Sequence, residues 1–300
     1  MYAIIGASGN TGKVVAEKLL AHGEKVRVIG REAKRLEGLV QKGAEAFVAN
    51  ASDAAALTQA FSGAKAVYLM IPPNPAHPNV REDQERVSDA LVAAVKNAGV
   101  EYAMVLSSIG ADKPDKTGPV VGLHNLEQKL KGVAPLKAVY LRAGYFMENL
   151  LPQAMIIKSF GVTGGPLRSD LKVAMIATQD IGAGAAEALL KLDFKGKSAR
   201  ELLGQRDLTY TEVASVIGEA IGKPGLGYMQ LGPEQLKPAL VQMGMSANMA
   251  DLLLEMSDSL NSGYMAALEP RSAQNTTPTS IERFVAEQLA PQFTSKPAGA

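Results

Sequence analysis

The sequence contains no cysteine, which excludes disulfide bonds, thiolate nucleophiles and thiolate-bound metals. Histidine is also scarce, and the whole chain has only His22, His77 and His124. No two of these histidines have a metal-ligand spacing such as His-x-x-x-His. We therefore expect no metal site.

An excess of charge of either sign is also missing, since 31 basic residues face 30 acidic ones and the net charge is +1. No run of like charges resembles a nucleic-acid-binding arm or a polybasic membrane anchor, so we expect neither nucleic acid nor a membrane as a partner. No stretch reaches about 18 consecutive apolar residues, the length that suggests a membrane span. Met1 leads directly into a predicted strand without a signal peptide, and a cytoplasmic location is the default expectation.

What the sequence does have is a large apolar fraction, 47% of 300 residues, against 20% charged residues. This is the ordinary composition of a soluble globular protein that can bury a sizeable core. A chain of this length predicts one large α/β domain with an appendage, or two lobes that share a cleft.

In the first half of the chain, short apolar runs rich in β-branched residues alternate with longer helical patterns. The predicted strands are Tyr2–Gly6, Lys25–Gly30, Glu45–Ala49, Ala66–Ile71, Tyr102–Ser107 and Leu136–Arg142. Such alternation predicts a doubly wound parallel sheet with helices on both faces, a Rossmann-like α/β fold. We assign residues 1–150 to this main domain and residues 151–300 to a smaller α/β lobe. Part of the lobe, around residues 173–204, is expected to return to the main sheet.

The second half predicts several local features. A strand at Val173–Thr178 leads to Asp180, which we expect to cap the following alanine-rich helix. Thr209 and Glu212 have the spacing of a capping box at the start of another helix. Two Met- and Leu-rich helices follow, at Pro233–Met243 and Ala247–Leu260. Their methionines are interpreted as helix core or a dimer face, with adaptable substrate contact as the alternative. The end of the chain from Ala290, rich in Pro, Ser, Thr and Gly, is expected to fray.

A glycine-rich turn, Gly6-Ala7-Ser8-Gly9-Asn10-Thr11-Gly12, lies between the first predicted strand and a helix. Gly6 allows a tight turn, Gly9 lets the backbone approach a pyrophosphate, and Gly12 lets the helix pack onto the strand. Amide N–H groups at the positive end of the helix would hold the phosphates. Further hydrogen bonds can come from the side chains of Ser8, Asn10 and Thr11. The turn therefore predicts a dinucleotide cofactor, against the alternative of a purely structural bend.

The end of the second predicted strand indicates which dinucleotide binds. NAD-specific sites usually place a carboxylate there, whereas this chain has Arg31, followed by Lys34 and Arg35. A guanidinium can bind a ribose 2′-phosphate through two hydrogen bonds, so we expect NADP(H) to be preferred over NAD(H). Glu32 is expected to turn outward, and an ordinary solvated charge cluster is the alternative interpretation.

Two further pairs of residues belong to the predicted cofactor site. Asn50 and Asp53 follow the third strand, near the expected adenine, although capping of the next helix explains them equally well. Ile71 and Pro72 end the fourth strand. Pro72 opens a proline-rich loop that either walls the expected nicotinamide pocket or only restricts the loop itself.

These motifs resemble those of the NmrA-like family of atypical short-chain dehydrogenase/reductases. The resemblance rests on the glycine turn, on Arg31 and on four later segments, Leu106–Gly110, Leu141–Asn149, Ile176–Ile181 and Leu208–Glu212. Within the family, the sequence is most similar to the bacterial NAD(P)H:quinone oxidoreductases of type 2 and the NAD(P)H azoreductases. The resemblance implies that residues 1–150 bind NAD(P) and that the lobe of residues 151–300 holds a substrate against them.

The function implied by the resemblance is an NADPH-dependent oxidoreductase that transfers hydride to a quinone-like or azo acceptor, a small planar hydrophobic molecule. Some family members instead sense NADP(H) and regulate a protein partner with little turnover, which is the alternative function. The Tyr-x-x-x-Lys pair of ordinary short-chain dehydrogenases is absent, because no tyrosine is followed by lysine four positions later. Quinones and azo compounds can take their proton from water, so both functions are compatible with this absence. The choice between a monomer and a homodimer stays open.

Two residues are candidates for catalysis. Ser107 ends the fifth strand at the family's usual hydroxyl position, where it could contact the substrate or the nicotinamide ribose, or simply cap the strand end. His124 is expected to open a helix at Leu123–Lys131 and could donate a proton near neutral pH. The alternative for His124 is a surface histidine paired with Glu127.

Tyr145, Phe146 and Asn149 follow the sixth strand and are the predicted substrate-binding residues. The two aromatic rings could stack on a planar acceptor. Core packing between the two lobes is the alternative explanation.

Overall fold

The computed structural model describes residues 1–294 of the chain. Residues 295–300 lie outside the described part, and most of the predicted frayed end from Ala290 falls there. No helix in the described part is both long and apolar enough to cross a bilayer.

The structure alternates strands and helices, as the apolar patterns predict. The strands are β1 (Tyr2–Ile5), β2 (Val26–Gly30), β3 (Glu45–Val48), β4 (Ala66–Leu69), β5 (Tyr102–Ser108), β6 (Lys137–Ala143), β7 (Tyr145–Phe146), β8 (Thr163–Gly165), β9 (Val173–Ile176), β10 (Lys197–Leu202), β11 (Asp207–Leu208) and β12 (Tyr228–Gln230). The helices are α1 (Asn10–Ala21), α2 (Glu37–Val40), α3 (Ala54–Phe61), α4 (Val80–Asn97), α5 (Val120–Lys131), α6 (Gln153–Phe160), α7 (Thr178–Lys191), α8 (Tyr210–Ala220), α9 (Pro233–Gln242), α10 (Ala247–Asn261), α11 (Ile281–Phe284) and α12 (Pro291–Thr294). Short 3-10 turns lie at Ala33–Leu36 and Met147–Leu150, and a π-helical turn lies at Val285–Leu289.

The main sheet has seven parallel strands in the order β10-β6-β5-β4-β1-β2-β3. Its central strands β1 and β4 are completely buried. One face is covered by a hydrophobic core with α3, α4 and α5, and the other face by a core with α1 and α7. The predicted doubly wound α/β fold is confirmed. The strand order reverses between β1 and β4, so the carboxyl ends of these strands form the crevice in which such sheets bind ligands.

Much of the chain after residue 150 builds a second core. There β9 pairs with β7 in parallel and with β11 in antiparallel orientation, and β12 pairs with β8. Outside this core, β10 joins the edge of the main sheet beside β6, α7 packs against α1, and α9 packs against α10. Strand β9 lies where the two cores meet, since Met175 belongs to the second core and Ile176 to the core of the main sheet.

Two predicted helix caps have different outcomes. Thr209 and Glu212 form the expected capping box at the start of α8. The prediction that Asp180 caps α7 was wrong, because this helix begins at Thr178. The carboxylate of Glu148 accepts hydrogen bonds from the Thr178 backbone N–H, at 2.9 and 3.1 Å, and from its hydroxyl. Asp180 instead accepts from the backbone N–H and the hydroxyl of Thr279, at 2.9 and 2.8 Å.

Helix α1 starts directly over the end of β1. Gly6 has a φ of +67°, and the N–H of Gly9 donates to the carbonyl of Gly6 at 2.9 Å. A Cβ added to Gly12 would lie 2.5 Å from the Gly6 carbonyl oxygen and 2.8 Å from its carbon. Because both atoms belong to the backbone, they cannot move aside, and only glycine fits at position 12.

We expect Gly12→Ala to lower the free energy of unfolding by about 1–3 kcal/mol, because the added methyl group forces α1 away from β1. Denaturant unfolding measures this change. Gly38→Ala is the matched control, since a Cβ there meets no atom within 4 Å, and its effect is expected to stay below about 1 kcal/mol and to be stabilising. Equal stability of the Gly12 variant and the wild type would contradict the assigned packing.

Candidate functional site

Two cavities open along the carboxyl edge of the main sheet. The smaller one, of about 190 Å³, lies beside the glycine turn and the end of β2, and the larger one, of about 550 Å³, lies between the ends of β5 and β6 and the second core. Met70, Pro72 and Pro73 line both cavities. The proline-rich loop therefore does form a wall of the site, and the two cavities meet at the point where the strand order reverses.

The smaller cavity combines the glycine turn with the end of β2. Its wall contains Gly6, Ser8 and Gly9 of the turn, and Arg31 and Arg35. In residues 1–294 neither of these two guanidinium groups forms an ion pair. Glu32 also belongs to this wall and is exposed. Lys34, the other cation of the predicted cluster, does not line the cavity.

The first turn of α1 offers its backbone to a ligand. No side chain caps this helix, and its first turn contains no acidic residue, so the amide N–H groups are open to an anion. Asn10 and Gly12 belong to this turn without lining the cavity. The hydroxyl of Thr11 accepts a hydrogen bond from Tyr68 at 2.9 Å, and burial raises the pKa of Tyr68. The Thr11 side chain is thus used beneath the helix, and its backbone N–H is the group that remains for a phosphate.

The predicted adenine residues have local structural roles. The side-chain oxygen of Asn50 accepts from the backbone N–H and the hydroxyl of Ser52, both at 3.1 Å. Asp53 caps α3 by accepting from two backbone N–H groups at 3.1 and 3.0 Å. Of the residues around them, Ala49 and Ala51 line the smaller cavity.

The larger cavity is lined by most of the remaining residues that were predicted to form the site. Six of these residues lie in its wall, namely Ile71, Pro72, Ser107, Tyr145, Phe146 and Asn149. Met249 and Met256 of α10 and Met265 after it also line the cavity, which agrees with adaptable substrate contact, the alternative interpretation of the methionine-rich helices, rather than with core or a dimer face alone. The wall is mainly apolar and is therefore suited to a planar hydrophobic molecule.

Ser107 belongs to a buried charged cluster. Its hydroxyl donates to the carboxylate of Glu127 at 2.6 Å, and the guanidinium of Arg142 donates to both oxygens of the same carboxylate at 3.0 and 2.7 Å. The Glu127 side chain is 1% exposed and that of Arg142 is 10% exposed. Hydrogen bonding to Glu127 raises the pKa of the Arg142 guanidinium. The cluster links α5 to the ends of β5 and β6 through hydrogen bonds, and the Ser107 hydroxyl proton is used in the bond to Glu127.

His124 lies elsewhere. The expectation that it opens its helix was wrong, because α5 begins at Val120 and places His124 in the second turn. Its Nδ1 is 2.9 Å from the carbonyl oxygen of Ala111, and it lines neither cavity. The alternative pairing with Glu127 was also wrong, since that carboxylate is buried with Arg142 and Ser107.

Tyr145 connects the larger cavity with the second core. Its half-buried ring packs edge-to-face on Tyr210, with the ring centroids 6.4 Å apart. Burial raises the pKa of Tyr145, and side-chain hydrogen bonds to Tyr210 and Asn149 partly offset this rise. Tyr228 stacks behind Tyr210 at 4.8 Å and donates its own hydroxyl to the carbonyl of Leu167. Of these three tyrosines, Tyr145 lines the cavity.

A sequence model of the NmrA-like family matches residues 2–284 of this chain. The chain belongs to this family. It is 28% identical over 270 residues to the NAD(P)H azoreductase of Xenophilus azovorans, covering 89% of this chain and 90% of the relative. It is 29% identical over 260 residues to quinone oxidoreductase 2 of Escherichia coli (strain K12), covering 85% of this chain and 86% of the relative.

A similar fold is known in complex with a cofactor. The crystal structure of an NADPH-dependent quinone oxidoreductase from Escherichia coli, complexed with NADPH, matches this chain with a TM-score of 0.81 at 25% identity, covering 95% of this chain and 98% of that chain. The expected family and the Rossmann-like fold are therefore confirmed.

In residues 1–294 no group of three or more His, Asp or Glu side chains is arranged to hold a metal ion.

We expect Arg142→Met to lower the free energy of unfolding by about 3–5 kcal/mol, because it leaves the Glu127 charge buried without its partner. Thermal or urea unfolding measures the loss. Arg283→Met is the matched control, since it removes an arginine from an exposed ion pair with Glu287 and should cost only a small fraction of that amount. Similar losses for both variants would show that the buried pair has no special weight.

Proposed function

We propose that this protein is an NADPH-dependent reductase that transfers hydride to a quinone-like or azo acceptor. An oxidoreductase is supported by the relatives, which are named as an NAD(P)H azoreductase and a quinone oxidoreductase. The single observation that carries the proposal is the meeting of the two cavities at Met70, Pro72 and Pro73. A cavity that contains two arginines therefore adjoins an apolar one along the edge where dinucleotides bind.

The smaller cavity would hold the adenosine and phosphate part of the cofactor. Amide groups at the start of α1 bind the pyrophosphate, because the positive end of the helix dipole and unpaired N–H groups face it. Arg31 and Arg35 bind the 2′-phosphate, which explains a preference for NADP(H) over NAD(H).

The larger cavity would hold the nicotinamide and the acceptor. When bound, the reduced nicotinamide supplies the hydride, and the protein positions the acceptor beside it and excludes water. The rings of Tyr145 and Phe146 and the methionines of α10 provide flat and adaptable apolar contacts. In this proposal residues 1–150 form the cofactor domain. Residues 151–300 supply the substrate lobe, apart from α7 and β10, which lie with the main sheet, while β9 at the start of the expected returning segment pairs with β7 and β11.

The activity is tested by mixing the purified protein with NADPH and either a short series of quinones or an azo dye. We expect oxidation of NADPH, followed at its absorbance band, to exceed the rate without protein by several orders of magnitude, within the usual range for enzymes. Tight NADPH binding with no turnover on any acceptor would instead identify an NADP(H) sensor.

The cofactor preference is tested with Arg31→Ala. Loss of a charge-assisted hydrogen bond to the 2′-phosphate is expected to weaken NADPH binding by on the order of 10- to 100-fold and to leave NADH nearly unchanged. Titration calorimetry with both nucleotides measures the difference. Lys34→Ala is the matched control, because Lys34 is a neighbouring cation outside the cavity wall. An equal loss for NADPH and NADH would refute the assignment of Arg31 to the 2′-phosphate.

A further inference from the structure

Hydride transfer alone does not complete the reduction of a quinone or an azo compound. The hydride brings two electrons and one hydrogen, and the oxygen or nitrogen that gains the negative charge still needs a proton. The inference below rests on the proposed function. Water is one source of this proton. In this chain the Tyr-x-x-x-Lys pair is absent and His124 lines neither cavity, so a side chain that supplies the proton instead would be one in the wall of the larger cavity.

Most of the acidic protons in that wall are already used. The Ser107 hydroxyl donates to the buried carboxylate of Glu127, and the Ser108 hydroxyl donates to the carbonyl of Ile109 at 2.9 Å. If Ser107 turned toward a ligand, it would give up a charge-assisted hydrogen bond inside the protein, which is costly. Neither serine is therefore a ready source of a proton.

The two carboxyl groups in the wall are held by cations. Asp83 forms an ion pair with Arg86 and accepts from the amide of Asn74 at 2.9 Å. Asp207 forms an ion pair with Arg271. Both act as hydrogen-bond acceptors in these contacts. Two groups with protons to give remain, the phenol of Tyr145 and the exposed ammonium of Lys172.

Tyr145 has the better position of the two. It follows β6 directly, at the carboxyl edge of the main sheet, and its strand β7 is paired with β9. Its ring is fixed against Tyr210, whereas Lys172 is an exposed side chain without an ion-pair partner in residues 1–294. A phenol that packs against a neighbouring ring is better held in line with a reacting atom than an exposed ammonium without an ion-pair partner.

We propose that Tyr145 donates the proton that completes the reduction of the acceptor. The acceptor receives the hydride, with its electron pair, at one atom and holds the displaced pair on an oxygen or a nitrogen. That pair takes the proton as the O–H bond of Tyr145 breaks, which gives the neutral hydroquinone or hydrazo product. Water that enters when the product leaves returns a proton to the tyrosinate.

The acidity of this phenol decides which acceptors depend on it. Because burial raises the pKa of Tyr145, the phenol stays protonated through the neutral range and donates readily only to a strong base. The reduced anion of an electron-rich quinone is such a base. The reduced anion of an electron-poor quinone is weakly basic and can leave unprotonated. Dependence on Tyr145 therefore grows with the basicity of the reduced acceptor.

The test compares Tyr145→Phe with Tyr228→Phe. Both changes remove one hydroxyl from the same tyrosine cluster, but Tyr228 lies outside the cavity wall and uses its hydroxyl on Leu167. Steady-state kinetics are measured with NADPH and two acceptors, tetramethyl-1,4-benzoquinone and tetrachloro-1,4-benzoquinone, after subtraction of the rate without protein. The Kd for NADPH and the thermal unfolding curve of each variant are measured in parallel.

We expect Tyr145→Phe to lower kcat for the tetramethyl compound by on the order of 100-fold, a usual effect for general acid catalysis. The loss with the tetrachloro compound should be only a few-fold, while the Kd for NADPH and the folding of the variant stay unchanged. Tyr228→Phe should keep its activity on both acceptors. The solvent deuterium isotope effect on kcat of the wild type tests the same contrast without any substitution. We expect it to be large for the tetramethyl compound and small for the tetrachloro compound.

Three results would overturn the inference, and a fourth would overturn the proposed function. Equal losses on both quinones would mean that Tyr145 only packs against the acceptor. Full activity of Tyr145→Phe on the tetramethyl compound, or a selective loss in Lys172→Ala instead, would assign the proton to another source. A wild-type protein that binds NADPH and reduces neither quinone nor azo acceptors would contradict the proposed function as a whole. If the wild type reduces these acceptors and Tyr145→Phe does so equally well, only the role of Tyr145 is contradicted.

Discussion

The tight contact between helix α1 and its two neighbours is the constraint on which the rest of the structure depends. On one side, the backbone of Gly6 occupies the space that a side chain on Gly12 would need. On the other side, a Cβ at Gly182 of α7 would lie 2.8 Å from the carbonyl oxygen of Thr11. Helix α1 is held between β1 and α7, so its first amide groups have a fixed place at the edge where the strand order reverses.

Features that depend on neighbouring residues could be predicted from the sequence. The strands of the main sheet, the glycine turn and the capping box at Thr209 all follow from patterns within one segment. The contacts of Glu148 and Asp180 could not, because each carboxylate binds a backbone N–H from a distant part of the chain. Such pairings are decided by how the second core packs on the main sheet, and no local pattern describes that packing.

In the candidate site, too, local sequence patterns predicted some residues, while contacts between distant parts of the chain could not be predicted. Strand ends and the glycine turn indicated part of the cavity wall, whereas Glu127 was considered only as a partner of a surface His124, in the alternative interpretation of that histidine. One signal was available, since Arg142 interrupts the apolar strand β6 between Leu141 and Ala143. A charge in a buried strand requires an opposite charge nearby. Which carboxylate meets it depends on how α5 is rotated over the sheet, and only the structure gives that rotation.

Met70, Pro72 and Pro73 form a stretch of wall that faces both cavities. A ligand in one cavity that shifts this shared wall also changes the shape of the other cavity. Thermodynamic linkage then requires the effect to be mutual: by whatever factor an occupant of the first cavity changes affinity in the second, the second occupant changes affinity in the first by the same factor. Proline restricts the backbone of this shared wall, which limits the size of such shifts.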